Sequence, residues 1–133
     1  YISITGRRYS FREYDTPEFV TEDTGFSPTQ MKNYPDQGFA TRDIVPLVLG
    51  ELFIALKLRK DLKQSLLINT VHDSIMLDVP KENIQQTAEL VKEVMESAPE
   101  FLKNTFDIDF TLELKADVTY GPTWAEQTES YHE

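Results

Sequence analysis

The sequence predicts an α+β fold, an antiparallel sheet with hairpins packed against two main helices. Three observations predict it. Two apolar, β-prone runs, 66–71 and 75–79, flank a polar corner, His72-Asp73-Ser74, and such spacing is that of an antiparallel hairpin. Ile84, Ala88, Val91, Met95 and Ala98 then recur at helical spacing, the signature of an amphipathic helix laid on a sheet. Across 108–118 apolar and polar residues alternate, as in a strand with one buried and one wet face.

In chain order, Ile2-Ser3-Ile4-Thr5 and Tyr9-Ser10-Phe11 surround Gly6-Arg7-Arg8, which reads as a short hairpin with arginines at or near its tip. Residues 13–30 hold Asp, Thr, Pro, Gly and Ser with little periodicity and read as a loop, with or without a short helix. From 36 to 60 the apolar content is almost continuous, so a helix buried on most sides is expected. Pro46 lies inside it, removing one backbone donor and crowding the preceding turn. A kink, or a restart near Asp43, should result. Lys57, Arg59, Lys60 and Lys63 gather at its C-terminal end, where positive charge suits the helix dipole, and they read as a solvated helix end.

On the helix after the corner, Leu90 and Val94 widen the stripe, and Glu82, Gln85, Glu89, Glu93 and Glu96 fill the other faces. Met95 belongs to the core, and Pro99 closes the helix or lies just past it. The carboxylates of 108–118 make a solvated face, not a metal cluster. Gly121-Pro122 stops the strand, and Trp124 is expected to anchor the C-terminus. The tail 126–133, with His132, reads as polar, frayed and without function.

At 133 residues the chain is one domain's worth, and 40% hydrophobic with 11% aromatic residues is a foldable composition. The absence of cysteine excludes disulfides and thiolate metal sites. No apolar run approaches the roughly 18–20 residues of a membrane span and no signal peptide opens the chain. An intracellular, cytoplasmic protein without membrane partners is expected. The opening Tyr1, inside a β-prone run and without an initiator Met, suggests a fragment.

The net charge of −10 argues against a free-standing DNA binder. Its distribution is more informative than its sum. Residues 1–66 carry nine Lys/Arg and nine Asp/Glu, whereas 67–133 carry four and fourteen. Arg7, Arg8, Arg12, Lys32 and Arg42 all precede the corner, so the charge leaves room for a DNA-contacting edge only on the N-terminal part.

A His-Asp pair by itself is an ordinary hairpin turn, since Asp bonds nearby backbone. Its context is more specific. Gly-Arg-Arg at 6–8, Asn-x-Pro-x-Gln-Gly at 33–38, Val-His-Asp at 71–73 and Gly-x-x-Trp at 121–124 occur in that order. The set resembles the C-terminal palm region of family A, DNA polymerase I-like, DNA polymerases over nearly the whole chain. The Lys-Asn-Tyr-Pro and Gly-Phe-Ala-Thr wording is similar to the phage members.

The resemblance implies a DNA-directed DNA polymerase whose primer–template and deoxynucleoside triphosphates meet at a two-metal Mg²⁺ site. Nucleotidyl transfer uses one ion to activate the 3′-hydroxyl and another to hold the triphosphate. It maps a metal-ligating catalytic aspartate onto Asp73 and a primer-terminus contact onto His72. Asn33 and Gln37 take the place of minor-groove or backbone contacts, where an amide senses duplex geometry without reading sequence. Arg7, Arg8 and Lys32 are the accompanying basic DNA-binding candidates.

Two positions depart from the family pattern. The corner usually runs His-Asp-Glu and here ends in Ser74, and Thr29 stands where an Arg is common. The second metal-binding aspartate and the fingers helix find no counterpart, so residues 1–133 are expected to be the C-terminal part of a palm. Activity then needs the remaining N-terminal palm, fingers and thumb. The alternatives are a non-catalytic, palm-derived structural or accessory module and a His-Asp metal phosphohydrolase. The latter needs several histidines, and this chain has two.

Overall fold

The computed structural model describes residues 1–13 and 25–131. The loop expected over 13–30 therefore lies largely outside the described residues, as does His132. The chain divides into two compact units, 1–43 and 44–133.

In the first unit the expected hairpin is a tight reversal held by one antiparallel bridge, Ile2 to Arg8. Gly6, at φ 83°, supplies the left-handed residue at its bend. The Ser3 amide donates to the Arg7 carbonyl at 2.8 Å, and the Tyr9 amide to the Tyr1 carbonyl at 2.8 Å. Arg8 thus lies in the bridge and Arg7 beside the bend.

Helix α1 (Pro28–Gln37) starts eight residues before the expected Asp36. Its start signal is local: Ser27 accepts from the Gln30 amide, and Pro28 at the first turn loses no helical bond. A π-helical segment, Gly38–Ile44, comes next, then α2 (Val45–Leu58). The disturbance expected around Pro46 takes this form. Its ring fits the first turn of α2, and the wider π turns precede it.

In the second unit, α2 buries Val48, Leu52 and Leu56 at i, i+4, i+8. They form a core with Leu62, Val91, Val94 and Ala98. The helix is not buried on most sides, however: Phe53, Ile54 and Leu58 are exposed. Phe53 is partly covered by Lys57, whose ammonium lies 5.3 Å from the ring centre. At the helix end Arg59 makes two bonds to Asp61, a solvated pair as expected.

The hairpin follows as β1 (Leu66–Val71) and β2 (Ser74–Asp78), paired antiparallel with a bulge at Ile68. Leu67, Ile75 and Leu77 pack on the core. A 3₁₀ turn, Lys81–Asn83, leads into α3 (Ile84–Glu96), which buries Thr87, Ala88, Val91 and Val94. Buried Thr87 is satisfied by Ser65, hydroxyl to hydroxyl at 3.2 Å.

Pro99 lies just past the end of this helix, one of the two places expected for it. Ser97 interrupts it, and Pro99 sits in the first turn of a further helix, α4 (Ala98–Phe106), where its missing N–H costs nothing. α4 ends at Asp107, in the left-handed conformation at φ 55°.

The alternation at 108–118 makes no ladder among the described residues. Its facing pattern survives for most positions: 108, 110, 114, 116 and 118 turn inward, while 109, 113 and 117 are exposed. A side chain replaces the neighbouring strand, Glu96 accepting from the Ala116 amide at 3.1 Å. Only β3 (Thr119–Tyr120) pairs, with β4 (Glu129–Ser130), so the described residues hold two two-stranded antiparallel ribbons and not one sheet. The tail expected to fray thus contributes a strand. Trp124 sits in a 3₁₀ turn (Trp124–Glu126) and is 64% exposed, so it is no buried anchor. Gly121 permits a close approach: a Cβ there would fall 1.8 Å from the Glu126 carbonyl oxygen. The α+β class holds. No helix of the described residues is long and apolar enough to cross a membrane.

Candidate functional site: a carboxylate at a hairpin tip and an amide-bearing helix

Val71 and Ser74 are paired across the hairpin end, so its turn is two residues, His72 and Asp73. Two-residue turns demand a left-handed backbone, and His72 supplies it at φ 55°. Ser74 is not part of the tip. It opens β2, and its hydroxyl donates to the Val71 carbonyl at 2.8 Å, tying the two strands just below the turn. His72 and Asp73 are both exposed. The strands under them rest on the core through Leu67, Ile75 and Leu77, so the turn rides on anchored strands.

The donor set is sparse. Among the described residues no group of three or more His, Cys, Asp or Glu side chains is placed to hold a metal ion. Asp73 offers one carboxylate, and hard divalent cations take six or more oxygens. The described residues therefore do not build a metal centre alone.

In the first unit, Asn33 and Gln37 lie one turn apart on α1, within the helix and not at its entry, and both are exposed, as is Lys32. Spacing of four residues puts the two amides on one face. Gln37 is the last α-helical residue, and its carbonyl accepts from the Thr41 hydroxyl at 2.7 Å across the start of the π segment. Gly38 adopts φ −66°, ψ −41°, which any L residue tolerates, so the glycine is not there for its backbone. Space is the reason: a Cβ would fall 1.8 Å from the Tyr9 hydroxyl and 2.6 Å from its Cζ. Tyr9 is 7% exposed, seated on Gly38.

Arg7 is engaged within this unit. Its Nε donates to Asp43 Oδ1 at 2.5 Å and its Nη2 to the Arg42 carbonyl at 2.5 Å. The Thr5 hydroxyl donates to the other Asp43 oxygen at 2.6 Å. The Asp43 side chain is 3% exposed, and a buried carboxylate needs such partners. The same bond holds the Arg7 guanidinium above its ordinary pKa. Arg8 is exposed. Tyr34 stacks on Phe11 at 5.6 Å between ring centres, with the Arg42 guanidinium 5.9 Å from its own.

The candidates thus fall into two groups: Arg7, Arg8, Lys32, Asn33 and Gln37 in the first unit, His72 and Asp73 in the second. Asp43, the seat of Tyr9 on Gly38 and the Arg42–Tyr34 contact were not foreseen. Asp43 alone left a trace in the sequence, an acid beside an arginine in an otherwise apolar stretch.

An α+β chain with a carboxylate at the tip of a core-anchored hairpin does not define one function by its fold, so the comparison with known proteins is decisive. The profile of "DNA polymerase family A" matches residues 2–126, and the chain belongs to that family. It is similar to DNA polymerase I of Geobacillus stearothermophilus, 36% identical over 99 residues, covering 74% of this chain and 10% of the relative. DNA polymerase I of Lactococcus lactis is 39% identical over 102 residues, covering 77% and 10%. The thermostable DNA polymerase I of Thermus filiformis is 36% identical over 94 residues, covering 71% and 10%. The chain spans about a tenth of the length of these relatives. No solved structure matches it.

Proposed function

We propose that this chain forms the C-terminal part of the palm of a DNA-directed DNA polymerase, of phage type by its 32–41 wording. It contributes to template-directed DNA synthesis together with fingers, thumb and the remaining palm supplied by other segments. The observation that carries the reading is the His72–Asp73 turn: a family A chain here offers one exposed carboxylate on a core-anchored hairpin. Asp73 is the one ligand this chain would give to a divalent ion, Mg²⁺ in this reading, and the ion's other protein ligands lie outside it. The carboxylate's own work is placement. A two-residue turn restricts its position far more than a flexible loop would.

His72 borders the same tip, where its imidazole can donate to a primer-terminus oxygen. Asn33 and Gln37, exposed on one helical face, carry both donors and acceptors for duplex edges. Lys32 and Arg8 supply charge to the phosphates, which position a duplex without reading it.

The experiment joins residues 1–133 to the upstream segments of a family A polymerase and measures primer extension. The joined enzyme should extend a primer, and Asp73→Asn should abolish extension with duplex affinity retained. Asp73 is exposed, so a fold defect is not expected to confuse the result. Extension at an undiminished rate by the Asp73→Asn enzyme would remove the catalytic reading and leave a non-catalytic palm-derived module. The sparse donor set would then favour that second reading.

A further inference from the structure

The N-terminal reversal touches the π segment at both ends. Tyr9 is seated on Gly38, the first π residue, and Arg7 grips Asp43 and the Arg42 carbonyl near its far end. Pro46 brings no N–H to the Arg42 carbonyl four residues back, and Arg7 donates to that carbonyl. π turns are rare and persist where other contacts hold them. Gln37 is joined directly to this segment and Asn33 lies one turn before it.

We propose that Arg7 and Asp43 are a positioning pair: they hold the π register of residues 38–43 and so set the direction in which Gln37 and Asn33 are presented to duplex DNA. Arg7 then acts through backbone geometry and not as a phosphate contact. The proposal rests on the duplex-contact reading of Gln37, and the test separates the two.

The test has two readouts: amide hydrogen exchange on the whole chain, and anisotropy of a labelled primer–template duplex at low salt with the chain joined to the upstream segments of a family A polymerase. Asp43→Asn keeps the side-chain shape and removes the charge that Arg7 grips. It should speed exchange at 38–43 about tenfold, the scale of a lost charged hydrogen bond. Exchange in α3, in the other unit, should be unchanged and so show that the chain remains folded. Duplex affinity should fall about threefold or more, although the chain becomes less acidic and charge alone would raise it. Arg7→Lys, which keeps the charge but not the two-pronged grip, should fall between wild type and Asp43→Asn in both readouts.

Unchanged exchange at 38–43 in Asp43→Asn overturns the proposal. So does a rise in affinity with a salt dependence steeper by about one counterion, which would mean that the freed Arg7 binds phosphate directly. Gln37→Ala should weaken duplex binding without altering exchange. If Gln37→Ala leaves binding unchanged, the duplex reading of Gln37 fails, and exchange in Asp43→Asn still decides whether the pair holds the π register.

Discussion

Replacing Gly38 by alanine should destabilise the first unit, although alanine is the better helix former. Alanine gains about 1 kcal/mol over glycine in a helix interior, and the dihedrals at Gly38 place no obstacle in its way. Opposing this, the new Cβ would meet Tyr9 at 1.8 Å from the hydroxyl, 2.6 Å from Cζ and 2.8 Å from Cε1. These are stiff ring atoms, so the ring as a whole must leave a seat where it is 7% exposed. Losing the burial of a large side chain costs roughly 2–3 kcal/mol. The net is a loss of about 1–2 kcal/mol, or roughly a 5- to 30-fold rise in the open population. Amide exchange at 38–43 reads this directly.

The double change Tyr9→Ala with Gly38→Ala gives the control. Without the ring, the alanine should cost nothing or help. Tyr9→Phe should only partly relieve the clash, because Cζ and Cε1 remain. On the wild-type glycine, Tyr9→Phe should stabilise by about 1 kcal/mol, since the buried Tyr9 hydroxyl has no hydrogen-bond partner among the described residues. Slower exchange in Gly38→Ala would show that helix propensity prevails and would refute the seating of Tyr9 on Gly38.

Two further outcomes follow from the second unit. His72→Val should weaken the hairpin by about 1–2 kcal/mol, because a β-branched residue resists φ 55°, whereas His72→Gly should preserve it; hairpin amide exchange tells them apart, and equal behaviour would contradict the left-handed turn. Leu52→Ala should cost about 2–5 kcal/mol in urea unfolding, since Leu52 is completely buried amid α2, α3 and the hairpin; a loss under 1 kcal/mol would mean the core is assembled differently.

The elements that bury a periodic face were legible in the sequence. The stripe Ala88, Val91, Val94 and Met95 gave α3, and the runs around His72-Asp73 gave the hairpin, because burial itself imposes the period. Elements set by end chemistry were misread. Ser27-Pro28 opens a helix by capping, yet little periodicity surrounds it, so the helix is expected only from Asp36 and Asn33 falls outside it. Pro99 lies just past α3 as expected, but the further helix it opens is not legible, since a proline fits a helix's first turn as well as the position beyond an end. The strand at 108–118 has the right alternation, but a ladder needs a partner, and alternation says nothing about who pairs with whom. At the site, Asp73 and His72 were found because a turn concentrates polar residues between apolar runs. Asp43 was not, because its meaning depends on Arg7, 36 residues away.

The two-residue turn at His72–Asp73 constrains length more severely than chemistry. Every side chain of β2 faces as it does because Val71 meets Ser74. A slip of the pairing by one residue would rotate Ile75 and Leu77 off the core. The bulge at Ile68 is already one irregularity in this short ladder. Position 74 is different, for its hydroxyl only ties Val71 from outside the turn. A serine there, where the family pattern has a glutamate, alters what surrounds the carboxylate but not where it points. In this chain the length of the corner and the chemistry beside it are thus set by different contacts.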